Sequence, residues 1–99
     1  MGNVSSFPLS FRPLVWSIDP QQLDIQKHRR YIVHQLLSLG DLDAFRWLEK
    51  TYSLPTVQDV FIHSPDQVYT NRSFSFVSKF LLHLNQSQVK RARYVTMAS

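Results

Sequence analysis

The sequence predicts an all-α fold: a compact bundle of about four short helices, with an extended N-terminal arm and a flexible basic C-terminal tail. Apolar residues recur at spacings of three and four along residues 25–84, which is typical of amphipathic helices. Residue types that cap helices precede each of these stretches. Cysteine is absent, which excludes a disulfide scaffold. With 99 residues, of which 43% are hydrophobic, the chain is suited to one domain around a single core.

Residues 1–18 are predicted to form the arm. Pro8 and Pro13 interrupt helical periodicity, and the small polar residues near the start favour irregular backbone. Phe11, Trp16 and the other apolar side chains of this segment nevertheless need cover from water. We therefore expect the second half of the arm to lie against the helical body.

The helical body is assigned to residues 19–84, and its first long helix to residues 25–39. Asp24 is a suitable N-cap for this helix, and Gly40 is predicted to end it in the left-handed conformation. A single glycine between two helices also indicates a tight corner. The other predicted helices each follow a capping residue: Asp41 before 42–52, Ser53 before a short helix that begins near Pro55, and Thr70 before 71–84.

The last of these helices has an unusually wide apolar face. Phe74, Val77 and Leu81 belong to one stripe, and Phe76 and Phe80 widen it. A face of this width indicates that the helix is buried on two sides.

The net charge of +4 is concentrated near the C-terminus. Residues 1–83 carry eight basic and seven acidic side chains, whereas Lys90, Arg91 and Arg93 follow without an acidic residue. Residues 85–99 also lack apolar periodicity, so they are predicted to form the flexible basic tail. A DNA-binding domain usually carries its basic groups on the folded surface, and this distribution therefore favours a protein partner over nucleic acid.

The sequence contains no pattern typical of a catalytic or metal site. The four histidines lack metal-ligand spacing, the two glycines do not form a phosphate-binding loop, and no serine and histidine are spaced as nucleophile and base. The chain is therefore predicted to be no enzyme and to hold no metal or cofactor. No apolar run is long enough to span a membrane and no secretory signal is recognisable, so a cytoplasmic protein is expected.

Four side chains are candidate contacts for a protein partner: Arg46, Trp47, Arg72 and Trp16. Trp47 lies off the apolar stripe of its predicted helix and stands beside Arg46, and both residue types are enriched at interface hot spots. One alternative is that the arm, with Trp16, covers Trp47 within the domain. Another is a homodimer, because a short chain so rich in aromatic residues can leave an apolar patch that a second copy covers.

Six basic side chains are candidate contacts for nucleic acid: Lys27, Arg29 and Arg30 in the first long helix, and Lys90, Arg91 and Arg93 in the tail. A helix-turn-helix-like DNA-binding regulator is accordingly the alternative function, with residues 42–52 as the recognition helix. Asp43 and Glu49 on that helix would be repelled by phosphates, which weighs against this alternative.

Several motifs between residues 14 and 84 resemble a small bacterial domain family of unknown function. The resemblance is carried by Trp16-Ser17-Ile18-Asp19, Leu23-Asp24, Lys27-His28, Tyr31-Ile32, Leu39-Gly40-Asp41-Leu42, Arg46-Trp47-Leu48, Tyr52, Tyr69-Thr70-Asn71-Arg72-Ser73-Phe74 and Phe76-Val77. Members of that family are often encoded beside nucleotidyltransferase-type toxins of the AbiEii class. The resemblance therefore implies an antitoxin or another toxin-associated partner, and it assigns a role to no individual residue.

Residues 1–6 match the short N-myristoylation pattern, with Gly2 and a serine at the sixth position. The resemblance points to bacteria, where such a match has no meaning without the transferase, so we expect no lipid anchor.

Overall fold

Helices make up most of the fold. The computed structural model describes residues 8–19 and 22–96. The α-helices are α1 (Arg29–Leu39), α2 (Leu42–Tyr52), α3 (Leu54–His63) and α4 (Asn71–Ser75), and a π-helical segment, Phe76–Leu81, continues α4. Short 3₁₀ helices lie at Leu9–Val15, Gln86–Gln88 and Arg91–Arg93. Among the described residues, β pairing is limited to one isolated parallel bridge between Tyr69 and Val95. The all-α prediction is thus confirmed.

The centre of the fold is α1. Residues 32–37 are all buried, so this helix is covered around its whole circumference over more than one turn. The 3₁₀ helix Leu9–Val15, α2 and α3 each pack against it. The remaining elements, including the π-helical segment, are therefore arranged around α1.

The regular part of α1 begins four residues later than the sequence predicts. Asp24 is not the N-cap of α1, which is His28; its carboxylate instead accepts hydrogen bonds in the preceding turn, from the backbone N–H groups of Gln26 and Lys27 at 2.9 and 3.0 Å. His28 closes the same turn, since its Nδ1 accepts a hydrogen bond from the Asp24 N–H at 3.0 Å. Residues 25–28 consequently form turns rather than helix.

The predicted caps of α2 and α4 are confirmed. The Asp41 carboxylate accepts a backbone hydrogen bond in the first turn of α2, which has the predicted bounds of 42–52. Thr70 and Ser73 form a reciprocal capping box at the start of α4. Ser53 makes no capping hydrogen bond to α3 and instead has a φ of 76°, so it turns the chain sharply between α2 and α3.

Gly40 does not have the predicted left-handed conformation. Its φ is −83° and its ψ is −178°, which is extended backbone that any residue can adopt. Glycine is needed here for a different reason: a Cβ atom would lie 2.6 Å from the Cβ of Ala44 and 2.6 Å from the carbonyl oxygen of Leu36. The corner between α1 and α2 is therefore too tight for any side chain at position 40.

The N-terminal segment packs on α1, although its residues 9–15 are coiled into a 3₁₀ helix and are not extended. Val15 is buried, and the Gln35 side-chain amide of α1 donates a hydrogen bond to the Leu14 carbonyl at 2.8 Å. Pro13 fits this short helix because its fixed φ lies close to the 3₁₀ value. The N-myristoylation pattern lies outside the described residues.

Residues 85–96, which we call the C-terminal segment, complete the core and do not form the predicted loose tail. Val89 and Tyr94 are buried, and the bridge from Val95 to Tyr69 ties the segment to the body. The Tyr94 hydroxyl donates to the Phe61 carbonyl at 2.6 Å, which satisfies its polar end. Val89 and Tyr94, the buried side chains of this segment among the described residues, are five residues apart, a spacing that indicates neither a helix nor a strand. Residues 97–99 lie outside the described part.

An aromatic cluster joins the second half of the chain to α1. Phe61 stacks on Tyr94 with a centroid separation of 4.5 Å, and it also contacts Tyr69 and Phe74. His34 reaches this cluster from α1, because its ring lies 5.8 Å from that of Phe61. The cluster positions α4 and hence the π-helical segment beside the corner at Gly40.

Candidate protein-interaction surface

Four large apolar side chains are exposed around the corner at Gly40 and along the π-helical segment. Leu39 is 56% exposed, Leu42 52%, Phe76 51% and Phe80 67%. The Phe76 and Phe80 rings contact each other, with centroids 5.9 Å apart. We call these four residues the apolar face. Apolar side chains exposed one at a time are ordinary, whereas neighbouring ones mark a surface that another molecule covers.

A cleft of about 240 Å³ adjoins the apolar face, since Leu42 and Phe76 are among the residues that line it. Its walls are α2 and the α4–π-helical segment, and residues from the end of α1 also line it. The lining residues are Leu36, Leu37, Ser38, Gly40, Asp41, Leu42, Phe45, Ser73, Phe76, Val77 and Leu81. Because most of these side chains are apolar, the cleft is suited to apolar side chains and offers few groups for catalysis.

Phe76 and Phe80 lie on the outer side of the π-helical segment. The wider turns of this segment include the hydrogen bond from the Leu82 N–H to the Val77 carbonyl, and its buried side chains are Val77 and Ser78. The sequence predicts a helix that is buried on two sides, but the described residues cover only one of those sides.

Polar groups border the apolar face on both sides of the cleft. Asp41 lines the cleft at the start of α2. Glu49 is exposed seven residues after Leu42, which places it on the same side of α2. Arg72 is exposed one turn before Phe76 and shares its side of α4. Thus the α2 wall carries acidic groups and the α4 wall a basic group.

The predicted partner contacts Arg46 and Trp47 lie in a separate, shallow cleft of about 270 Å³. Arg46 is exposed, whereas Trp47 is half-buried and packs edge-on against Phe11 and Tyr52, with centroid separations of 6.2 and 6.1 Å. The N-terminal segment therefore does cover part of Trp47, but through Phe11. Trp16 is 76% exposed.

A third cleft of about 340 Å³ connects the other two. It shares Gly40 and Asp41 with the apolar cleft, and Phe11 and Asp43 with the cleft at Trp47. A continuous depression therefore runs around the N-terminal half of α2. Of the four predicted contacts, Arg72 borders the apolar face directly, and Arg46 and Trp47 lie at the far end of this depression.

Two of the six candidate nucleic-acid contacts are engaged within the fold. Arg30 donates hydrogen bonds to the carbonyls of Ser64 and Pro65, beyond the end of α3, and lies 4.0 Å from the Asp66 carboxylate. Arg91 is held against α4, as described below. The other four side chains are exposed: Lys27, Arg29, Lys90 and Arg93.

The Arg91 guanidinium fastens the C-terminal segment to α4. It donates to the carbonyl and side-chain oxygens of Asn71 at 3.3 and 3.0 Å and to the Ser75 hydroxyl at 3.2 Å. It also lies 4.9 Å from the centre of the Phe74 ring, within cation–π range. These contacts use its donors inside the molecule.

His34 is a fully buried structural residue. Its Nδ1 lies 2.8 Å from the Tyr69 hydroxyl and its Nε2 lies 2.6 Å from the Ser64 carbonyl. Burial is the main cause that lowers the pKa of His34, and burial likewise raises the pKa of Tyr69. A neutral imidazole with Nε2 protonated satisfies both hydrogen bonds, since Nδ1 then accepts from the Tyr69 hydroxyl.

In the part of the chain that the structure describes, no group of three or more histidine, aspartate or glutamate side chains is arranged to hold a metal ion. Within residues 8–19 and 22–96, no helix has the length and apolar character needed to cross a membrane.

Sequence reasoning missed Leu39, Leu42 and Phe80 as surface residues. Leu39 and Leu42 belong to apolar stripes, so they were expected in the core, and both are exposed because Gly40 turns the chain between them. The signal that pointed to the surface was the excessive width of the apolar face of residues 71–84, which this small domain covers on one side only.

Comparison with known proteins supports a family assignment without a function. No curated protein and no solved structure shows significant similarity to the chain. The model of DUF6922, a family of unknown function, matches residues 11–61, which span most of the N-terminal 3₁₀ helix, α1, α2 and most of α3. The chain therefore belongs to the family of unknown function DUF6922.

Proposed function

We propose that this chain is a non-enzymatic protein-interaction module whose apolar face binds a helix of a partner protein. The observation that carries the proposal is the apolar face itself: four large apolar side chains, each more than half exposed, beside a cleft lined mainly by apolar residues. A cleft between two helical walls is the kind of groove that accepts the apolar side of an amphipathic helix.

The apolar face supplies a substantial part of the free energy that binding requires. Full burial of a leucine or phenylalanine side chain stabilises by about 1.5–3 kcal/mol. Since the four side chains keep half or more of their surface in water, covering them offers on the order of 5 kcal/mol before the costs of association. Arg72 and Asp41 at the edges supply the polar rim that gives such an interface its orientation.

The partner that we propose is a nucleotidyltransferase-type toxin of the AbiEii class, with this chain as its antitoxin. The family resemblance described above supplies that partner, and the small helical body with an exposed apolar face fits a protein that inhibits by covering another. Inhibition would follow from blocking the toxin's active surface, with no chemistry on the part of this chain.

DNA binding by the folded body has less support. In α2, the recognition helix of that alternative, Asp43 and Glu49 are exposed together with Arg46. Arg30 and Arg91 are already engaged inside the molecule. The remaining basic groups favour at most a weak, salt-dependent contact with phosphates.

Co-expression with a nucleotidyltransferase-type toxin of the AbiEii class tests the proposal. We expect the wild-type chain to co-purify with the toxin and to restore growth. The double variant Phe76→Ser/Phe80→Ser should bind at least about tenfold more weakly, because it removes two adjacent apolar anchors.

Trp16→Ser is the matched control, since Trp16 is an exposed aromatic residue that does not belong to the apolar face. It should bind like the wild type. Loss of binding in Trp16→Ser with full binding in the double variant would move the interface to the N-terminal segment. A wild-type chain that neither binds the toxin nor changes its toxicity would refute the antitoxin proposal.

A further inference from the structure

We infer that in the absence of its partner the apolar face pairs with a second copy of this chain. The dimer would bury the surface that the partner needs and would therefore regulate partner binding. This regulatory role rests on the proposed function. Self-association would then control how much of the chain is available for binding.

The charges around the apolar face favour a second copy as the occupant. A two-fold interface uses the same patch on both chains, so the patch must contain both members of every contact. Asp41 and Glu49 lie on the α2 wall, and Arg72 lies on the α4 wall. When two copies pair about a two-fold axis that runs parallel to the cleft, the acidic wall of each faces the basic wall of the other.

These charges are available for such pairing. The ion pairs recorded among the described residues are Arg30 with Asp66 and His63 with Asp59. Asp41, Glu49 and Arg72 therefore have no ion-pair partner within 4.0 Å in the part of one chain that the structure describes. In the dimer each Arg72 would meet a carboxylate of the second copy, and the contact would occur twice.

The apolar groups complete the match. Phe76 and Phe80 form a ridge on one wall, and the cleft beside Leu42 lies next to that ridge. A two-fold rotation places the ridge of each copy over the cleft of the other. The resulting interface has an apolar centre and a charged rim, which is the usual anatomy of a protein–protein contact.

The first experiment is sedimentation equilibrium of the full chain at several micromolar concentrations. We expect the mass to rise from monomer to dimer with concentration, and Phe80→Ser to raise the dissociation constant at least about tenfold. Trp16→Ser, with its similarly exposed aromatic residue, should dimerise like the wild type. A wild type that stays monomeric, or a dimer that Phe80→Ser leaves unchanged, overturns the inference.

Charge exchange tests the pairing itself. Arg72→Glu makes both walls acidic. Asp41→Asn/Glu49→Lys makes the α2 wall basic, like the α4 wall, and asparagine keeps the helix cap at position 41. Each variant alone should dimerise at least about tenfold more weakly, and an equimolar mixture should recover dimers. A mixture that associates no better than the separate variants contradicts the proposed two-fold arrangement.

The two proposals fail in distinguishable ways. A chain that is monomeric at all concentrations but binds the toxin through Phe76 and Phe80 overturns the dimer and leaves the proposed function in place. A dimer that depends on Phe80 and Arg72, from a chain that never binds the toxin, overturns the proposed function and supports the dimer.

Discussion

Gly40 is the residue on which the corner between α1 and α2 depends. Its backbone angles are open to any amino acid, so its role is steric: the Cβ of Ala44 and the carbonyl of Leu36 leave no room for a side chain. Both neighbours belong to helices that are packed on the core, and they cannot move independently of the fold.

Gly40→Ala should therefore lower the free energy of unfolding by about 1–3 kcal/mol, the usual cost of forcing an extra methyl group into a packed site. Urea denaturation followed by circular dichroism measures this loss. Ser38→Ala, at a half-buried position two residues earlier, should change stability by less than about 0.5 kcal/mol. Equal stability of Gly40→Ala and the wild type would mean that the corner opens at little cost.

His34 makes the stability of the domain depend on pH. The folded state lowers the pKa of His34 below its ordinary value of 6.5, mainly because the ring is buried; the Ser64 carbonyl and Asp66 oppose this shift, and Arg30 adds to it. Below pH 6.5 the unfolded chain takes up a proton at this histidine before the folded chain does. Unfolding is then favoured, so stability is full above pH 6.5 and decreases as the pH falls from there.

We expect His34 to lower the free energy of unfolding by up to about 1.4 kcal/mol for each pH unit below 6.5. Urea titrations at a series of pH values below 6.5 measure this decrease. His34→Gln should be less stable at neutral pH but should show a smaller pH dependence. His83→Asn, an exposed position with a φ of 54° that asparagine tolerates, is the control and should keep the wild-type slope. An unchanged slope in His34→Gln would assign the pH dependence to other groups.

At the scale of elements, Arg91 decides whether the C-terminal segment stays on α4. Arg91→Ala removes its hydrogen bonds to Asn71 and Ser75 and its contact with the Phe74 ring. Because these contacts lie near the surface, we expect a loss of about 1–2 kcal/mol in the free energy of unfolding, together with faster proteolysis of the segment.

Arg93→Ala is the matched control, two residues away on the same 3₁₀ helix and exposed. It should unfold like the wild type, within about 0.5 kcal/mol. Equal effects of the two substitutions would indicate a general charge effect in place of the specific contacts of Arg91.

Prediction of the elements from sequence succeeded where a short-range interaction sets the boundary. The bounds of α2 follow from the Asp41 cap, and the start of α4 follows from Thr70 and Ser73, all of which act within one helical turn. The same reasoning fails after Ser75, where the helix widens into π geometry. Apolar spacing alone does not distinguish π from α geometry, so it could not reveal that change.

At the scale of the whole molecule, the C-terminal segment is part of the core. A chain that ends at Leu84 lacks Val89 and Tyr94 and leaves Phe61 and Phe74 without their neighbour. Loss of a buried aromatic residue alone costs about 3–5 kcal/mol, which is comparable with the total stability of a domain of this size. We expect the truncated chain to lose cooperative unfolding and its near-ultraviolet circular dichroism.

A chain that ends at Thr96 keeps all described residues and serves as the control; it should unfold cooperatively. A cooperatively folded chain of residues 1–84 would mean that the aromatic cluster is dispensable and that residues 85–99 form the loose tail that their composition predicts.

The sequence by itself determined the helical class, the bounds of α2, the caps at Asp41 and Thr70 and the apolar excess of residues 71–84. These properties arise from residue types and spacings within one or two helical turns. Only the tertiary structure decided that Gly40 is needed for close contact, that Tyr94 belongs to the core, and that Phe76 and Phe80 face solvent. Each of these three findings depends on which elements, distant in the sequence, pack against one another. The exposure of a side chain to water is therefore a property of the assembled fold.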